Sequence, residues 1–139
     1  MNWFCWALGS AGFAALTALL AKVGVEDVNP NLAMAVRTSV ALFFSWALAW
    51  ATVPASDWIA PSSRSTLFLV LSGSATGLSW MCYFHALRLG PVARVAAVDK
   101  LSVALAAILA VAFLGEKLDA RSVAGLVLIV GGAALMAWK

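Results

Sequence analysis

Charge is what this sequence has least of: six acidic and nine basic residues in 139, or 11%. A soluble domain carries about a quarter of its residues charged. So few polar side chains cannot cover a globule, and that excludes water as the solvent for most of the surface. The basic residues are scattered rather than gathered into a stripe that could follow phosphates, which excludes a nucleic-acid partner. Two cysteines, Cys5 and Cys82, make neither a disulfide framework nor a metal spacing, and read as two small buried side chains. There is no Walker motif, nucleophile elbow or metal-ligand cluster, so nothing points to an enzyme, a cofactor or a metal. The N-terminal "MNWFCWALGSAGFAALTALLAK" lacks a basic n-region, and its apolar run outlasts the ~7–15 residues of a signal h-region. It reads as a retained spanning helix.

What is abundant is hydrophobicity: 64% of residues, with a mean hydropathy of +0.98. A membrane-spanning helix needs about 20 mostly apolar residues. Five segments qualify, near 3–22, 32–54, 66–88, 92–114 and 121–138, so the expectation is an all-α multi-pass protein of the cell membrane with one domain over 1–139. The connectors "VGVEDVNPN", "PASDWIAPSSRS", "RLGP" and "GEKLDAR" hold most of the charge. Trp3, Trp58 and Trp138 lie near segment ends, where an interfacial belt places tryptophan. An odd span count puts the termini on opposite faces. The N-terminal face receives Arg64, Lys117 and Arg121; the other receives Lys22, Arg88, Arg94 and Lys139, with Arg37 close by. The positive-inside rule reads such an imbalance as orientation. Four against three fits a cytoplasmic C-terminus, and it fits insertion in both directions.

Small residues mark several spans. Gly73 and Gly77 stand in GxxxG spacing with Ser72 and Thr76 alongside, a pattern that lets helix backbones approach closely. The fourth span is rich in alanine. Gly125 and Gly132 are seven apart and share a face. Together they predict a tight bundle.

Against that background the stretch "RVAAVDKLSVALA", residues 94–106, stands out. Asp99 and Lys100 sit inside an apolar run. At a helix centre each costs about 2.5–3.5 kcal/mol to insert, so the two together cost about 5–7 kcal/mol if central. Lys100 can snorkel toward the interface. Asp99, about 12 Å along its span at 1.5 Å per residue, is too short to follow and needs a partner or water. Neighbouring helical residues point about 100° apart, so the two charges are expected to meet different groups; Ser102 and Ala96 share the Asp99 face. Arg37, at a similar depth in the second span, is the expected partner of Asp99. Two readings stand side by side. In one, Asp99, Lys100 and Arg37 form a polar network that holds helix register. In the other they line a path for substrate or a coupling proton, the default reading of intramembrane ionisable residues. A neighbouring lysine and arginine would keep Asp99 ionised.

Trp80, Met81, Tyr83 and Phe84 form an aromatic and sulfur set suited to an apolar or cationic ligand, or to packing and lipid contact. His85 lies at the end of the third span, as an interfacial residue or a titrating switch.

The segment "HALRLGPVARVAAVDKLSVALAAILAVAFLGEKLDARSVAGLVLIVGGAAL" resembles the C-terminal part of an EamA domain of the drug/metabolite transporter superfamily. The features that carry the likeness are the aliphatic Ala86–Pro91 stretch closing the third helix, the alanine-rich fourth helix, Leu114-Gly115-Glu116 ending it, and the glycine-rich fifth helix with Gly125, Gly131 and Gly132. "LTALLAKVGVEDVNPNLAMAVRT" and "DKLS" resemble a group of short, single-domain members. The resemblance implies a five-helix unit, one half of a ten-helix inverted-repeat architecture suited to alternating access. A lone half is then expected to pair with an antiparallel second copy. In two-domain relatives the central cavity is lined largely by the first, third and fourth helices of each half, and the fourth here carries Asp99 and Lys100.

These readings converge on a secondary transporter of a small metabolite or amphipathic compound, working as an antiparallel homodimer in the lipid bilayer. The candidate pathway residues are Asp99, Lys100, Arg37, Ser102, Trp80 and Tyr83. The alternatives are a non-transporting assembly or scaffold subunit, and one subunit of a heteromeric flippase for lipid-linked sugars.

Overall fold

The structure, a computed structural model, describes residues 2–58 and 61–138. Every regular element among them is helical. Five segments are long and apolar enough to cross a bilayer: Trp3–Val25 (α1), Pro30–Thr52 (α2), Ser63–Leu89 (α3), Val92–Leu114 and Ala120–Ala137 (α6). The five expected spans are all present, with ends moved by at most three residues. Lys139, counted above among the charges that set orientation, lies outside the described residues.

Local chemistry explains the shifted ends. Asn29 caps α2, its side-chain oxygen accepting from the Asn31 N–H at 2.9 Å, and Pro30 takes the first turn. Proline is pre-organised there because its missing N–H would have no intrahelical partner. This moves Pro30 and Asn31 from the connector into the helix. Ser62 likewise accepts from the Ser65 N–H at 3.2 Å and starts α3 three residues early. Asp119 caps α6 by accepting from the Ser122 N–H at 2.9 Å.

The fourth span is not one uniform helix. Val92–Asp99 (α4) and Leu101–Leu109 (α5) are separated at Lys100, and Ala110–Leu114 closes the span as a wide π turn. At the interruption the Lys100 N–H reaches the Ala97 carbonyl at 3.1 Å, and the Val103 N–H reaches the Lys100 carbonyl at 3.0 Å. Both bonds span three residues instead of four, the tighter pattern of a 3-10 turn. At the far end Gly115 adopts φ +67°. This left-handed conformation suits glycine because it has no Cβ to meet the neighbouring carbonyl. The Gly115 and Glu116 N–H groups then both turn back to the Ala110 carbonyl.

The chain forms two compact units: residues 1–20 with 89–139, and residues 21–88. In the first, α6 packs against α4 and α5. Val92, Val95, Ala96, Ala97 and Asp99 are half-buried on α4, and all but Ala97 lie on one stripe at helical spacing. In the second unit Val25, Pro30, Phe84 and Leu87 are buried where the end of α1, the start of α2 and the end of α3 belong.

Little else is buried. Phe13, Phe43, Trp50 and Leu128 are among the large apolar side chains left exposed. Helices apolar all round and exposed all round belong in hydrocarbon, not water. Glycine adds a second observation. A Cβ built at Gly73, Gly77, Gly125 or Gly132 would meet no side chain and no backbone of another element within 4 Å. Among the described residues, the close approach that these small residues permit is therefore not taken up within either unit.

Candidate functional site

The candidate residues fall into two groups, one in each unit. Asp99, Lys100 and Ser102 belong to the unit built from α4, α5 and α6. Arg37, Trp80 and Tyr83 belong to the unit built from α2 and α3.

Asp99 is the last residue of α4 and Lys100 is the interruption itself. Their charges meet each other: Lys100 Nζ lies 3.6 Å from Asp99 Oδ2, with 57% and 39% of the side chains exposed. This corrects the expectation that the two would meet different groups. The 100° rotation separates the Cβ atoms, but four methylenes let the lysine ammonium fold back onto its neighbour. The span therefore enters the membrane carrying a pair in place of two isolated ions. Ser102 follows on the exposed side of α5.

Arg37 is half-buried on α2. Within its own unit it is placed on aromatic rings. Its guanidinium carbon lies 4.2 Å from the Trp80 ring centroid and 5.6 Å from that of Phe84. Both distances fall within the ~6 Å range of cation–π attraction. Tyr83 lies within electrostatic range of the same guanidinium. Trp80 and Phe84 are four apart, so α3 presents both rings on one face. Of the aromatic set, Trp80 and Phe84 thus already hold a cation, and it is the chain's own. His85 is exposed, with Nδ1 2.8 Å from the Met81 carbonyl.

Beside this stack lies a groove of about 440 Å³ between α2 and α3. Its α3 wall is Gly73, Thr76, Gly77 and Trp80, at i, i+3, i+4 and i+7. Met34, Thr38 and Leu42 contribute from α2. Two of its hydroxyls are spent along their own helices: Ser39 donates to the Ala35 carbonyl at 3.0 Å and Thr76 to the Ser72 carbonyl at 2.9 Å. Gly73, Gly77 and Trp80 are among the expected packing and pathway residues; the α2 wall is not. The α3 spacing was legible in the sequence, whereas Met34, Thr38 and Leu42 look like any apolar helix face. The interruption at Lys100 was also missed. No glycine or proline marks it, and only the charges do.

Outside the spans, Asp119 is held below the ordinary carboxylate range, first by its side-chain hydrogen bonding with Ser122 and then by the Ser122 backbone N–H. Among the described residues no group of three or more His, Cys, Asp and Glu side chains is placed to hold a metal.

The EamA-like transporter family matches residues 1–138. A Sinorhizobium protein named "Uncharacterized transporter in cobO 3'region" is 50% identical over 139 residues, covering 98% of this chain and 96% of that protein. No solved structure matches.

Proposed function

We propose that this chain, which belongs to the EamA-like transporter family and is a multi-pass membrane transporter, is secondary-active, moves a small metabolite or amphipathic compound across the plasma membrane, and works as an antiparallel pair of identical chains. The observation that carries the reading is the Asp99–Lys100 ion pair at an interruption of the fourth span. Irregular backbone at membrane depth is tolerated where it is buried in protein or lines a water-filled cavity. Broken helices near the midplane are where secondary transporters place substrate and coupling-ion sites. The absence of a nucleotide-binding motif in the sequence is in keeping with ion or solute coupling. The near-balanced basic residues on the two faces suit insertion in both orientations.

The test is a pair of reporters fused after Lys139, one active only in the cytoplasm and one only outside, combined with Asp99→Asn in proteoliposomes. Signal from both reporters, with flux lost in Asp99→Asn while assembly persists, is the expected result. A single orientation removes the homodimer. Normal flux in Asp99→Asn removes the site, and reconstituted protein that moves nothing leaves the scaffold reading.

A further inference from the structure

Arg37 and the α2–α3 groove make a site that the fourth-span reading does not use. The groove is apolar, and its α3 floor is open: a Cβ at Gly73 or Gly77 would touch nothing from another element within 4 Å. Trp80 forms one end of it and carries the Arg37 guanidinium on its ring. No carboxylate of the same unit, Glu26, Asp27 or Asp57, forms an ion pair with Arg37. A guanidinium stacked on a ring keeps its N–H edge free to bond in the plane. So the groove offers an apolar bed that ends at Trp80, whose ring carries an arginine with no acidic partner in its own unit. Because the arginine already occupies the Trp80 and Phe84 rings, a cationic ligand would meet a like charge there. An anion would bring a counter-charge that the arginine's own unit does not supply.

We infer that this groove binds a free, single-tailed organic anion, its apolar part lying against Gly73, Gly77 and Leu42 and its carboxylate or equivalent head paired with Arg37. The volume argues for a free molecule over a bilayer phospholipid. About 440 Å³ lies toward the small end of ligand pockets, which span roughly 300–1,000 Å³. That accommodates one short chain or ring system rather than two acyl chains. The inference deepens the transporter reading by naming a class of cargo, and it rests on that reading only in calling the bound molecule cargo.

The test uses the full chain in phosphatidylcholine nanodiscs and labelled decanoate as the probe, with decyltrimethylammonium as the competitor of matched tail and opposite charge. Saturable decanoate binding, undisturbed by the cation, is expected. Arg37→Gln should weaken it roughly tenfold or more, the scale of one charge-assisted bond, and Arg37→Lys should restore part of it. Gly77→Leu fills open space, so the protein should keep its helical content and lose decanoate. Competition by the cation, or unchanged binding in Arg37→Gln, overturns the site. So does displacement by phosphatidylglycerol supplied in the disc, which would make the groove a lipid site. A change of oligomeric state in Gly77→Leu with binding intact would give the groove to a second copy and overturn it too. Flux measured on the same preparations separates the two proposals. Binding without any flux keeps the site and sinks the secondary-active reading; decanoate flux that survives both Arg37→Gln and Gly77→Leu sinks the site and keeps the transporter.

Discussion

Lys22 Nζ donates to the Leu87 carbonyl at 2.8 Å, across 65 positions of sequence. Leu87 is fully buried and sits in the last turn of α3, where carbonyls have no helical partner left. A cation at a helix C-terminus satisfies the carbonyl and complements the negative end of the helix dipole. The bond ties the last turn of α1 to the last turn of α3, beside the buried Phe84 that lies under Arg37.

Lys22→Met therefore removes a charge-assisted bond and leaves a buried carbonyl unsatisfied. The expected loss is about 1–3 kcal/mol, read as an earlier midpoint in SDS-induced unfolding of the detergent-solubilised protein followed by circular dichroism. Lys22→Arg should recover much of it. An unchanged midpoint in Lys22→Met would show that this bond does not hold the two helix ends together.

The ion pair at the fourth-span interruption predicts non-additivity. Asp99→Asn alone leaves an uncompensated lysine, and Lys100→Gln alone leaves an uncompensated aspartate. The double variant leaves neither, so it should be less destabilised than the sum of the singles by about 1 kcal/mol, within the usual range for contacting residues. A double-mutant cycle on unfolding midpoints measures this directly. Strict additivity would mean that the two charges act independently.

Gly115 has φ +67° and open space around it, so conformation alone opposes a side chain there. Gly115→Ala should cost about 1–2 kcal/mol. Gly115→Asn should cost less, since asparagine tolerates the left-handed region. The same unfolding assay ranks the two, and an alanine variant as stable as the parent would place the helix end elsewhere.

The Asp119 cap predicts a pH effect. Its carboxyl is held below the ordinary range by Ser122, so the ionised form is favoured in the folded chain. That contribution is fully present above the unfolded carboxylate value and disappears as pH falls through the lower folded value. Lowering pH below the ordinary carboxylate range should narrow the stability gap between the parent and Asp119→Ala. Asp119→Asn, which caps without titrating, should show no such narrowing. A gap that stays constant through that range would remove the cap from the stability of α6.

The five spans were legible because apolar length is a property of sequence alone. A bilayer demands roughly twenty apolar residues per crossing whatever the helices later touch, and the residues at 3–22 or 92–114 satisfy that without help from the rest of the chain. Caps refined the ends by two or three residues through chemistry that is equally local: Asn29 before Pro30, and Asp119 before Ser122. Gly115 was visible as the end of a helix for the same reason. Partners were not legible. Arg37 and Asp99 stand at similar depths, and depth alone paired them. Depth does not say what a side chain meets inside its own unit, where Arg37 rests on Trp80 and Phe84 and Asp99 meets Lys100. The groove needed tertiary structure as well. Gly73, Gly77 and Trp80 mark one wall by their spacing, but a groove exists only once a second helix supplies the other wall. Which helix that is, and that Thr38 rather than a charged residue faces the floor, depends on rotation of α2 about its own axis. In an apolar sequence nearly every rotation looks equally hydrophobic, so packing decides it and composition does not.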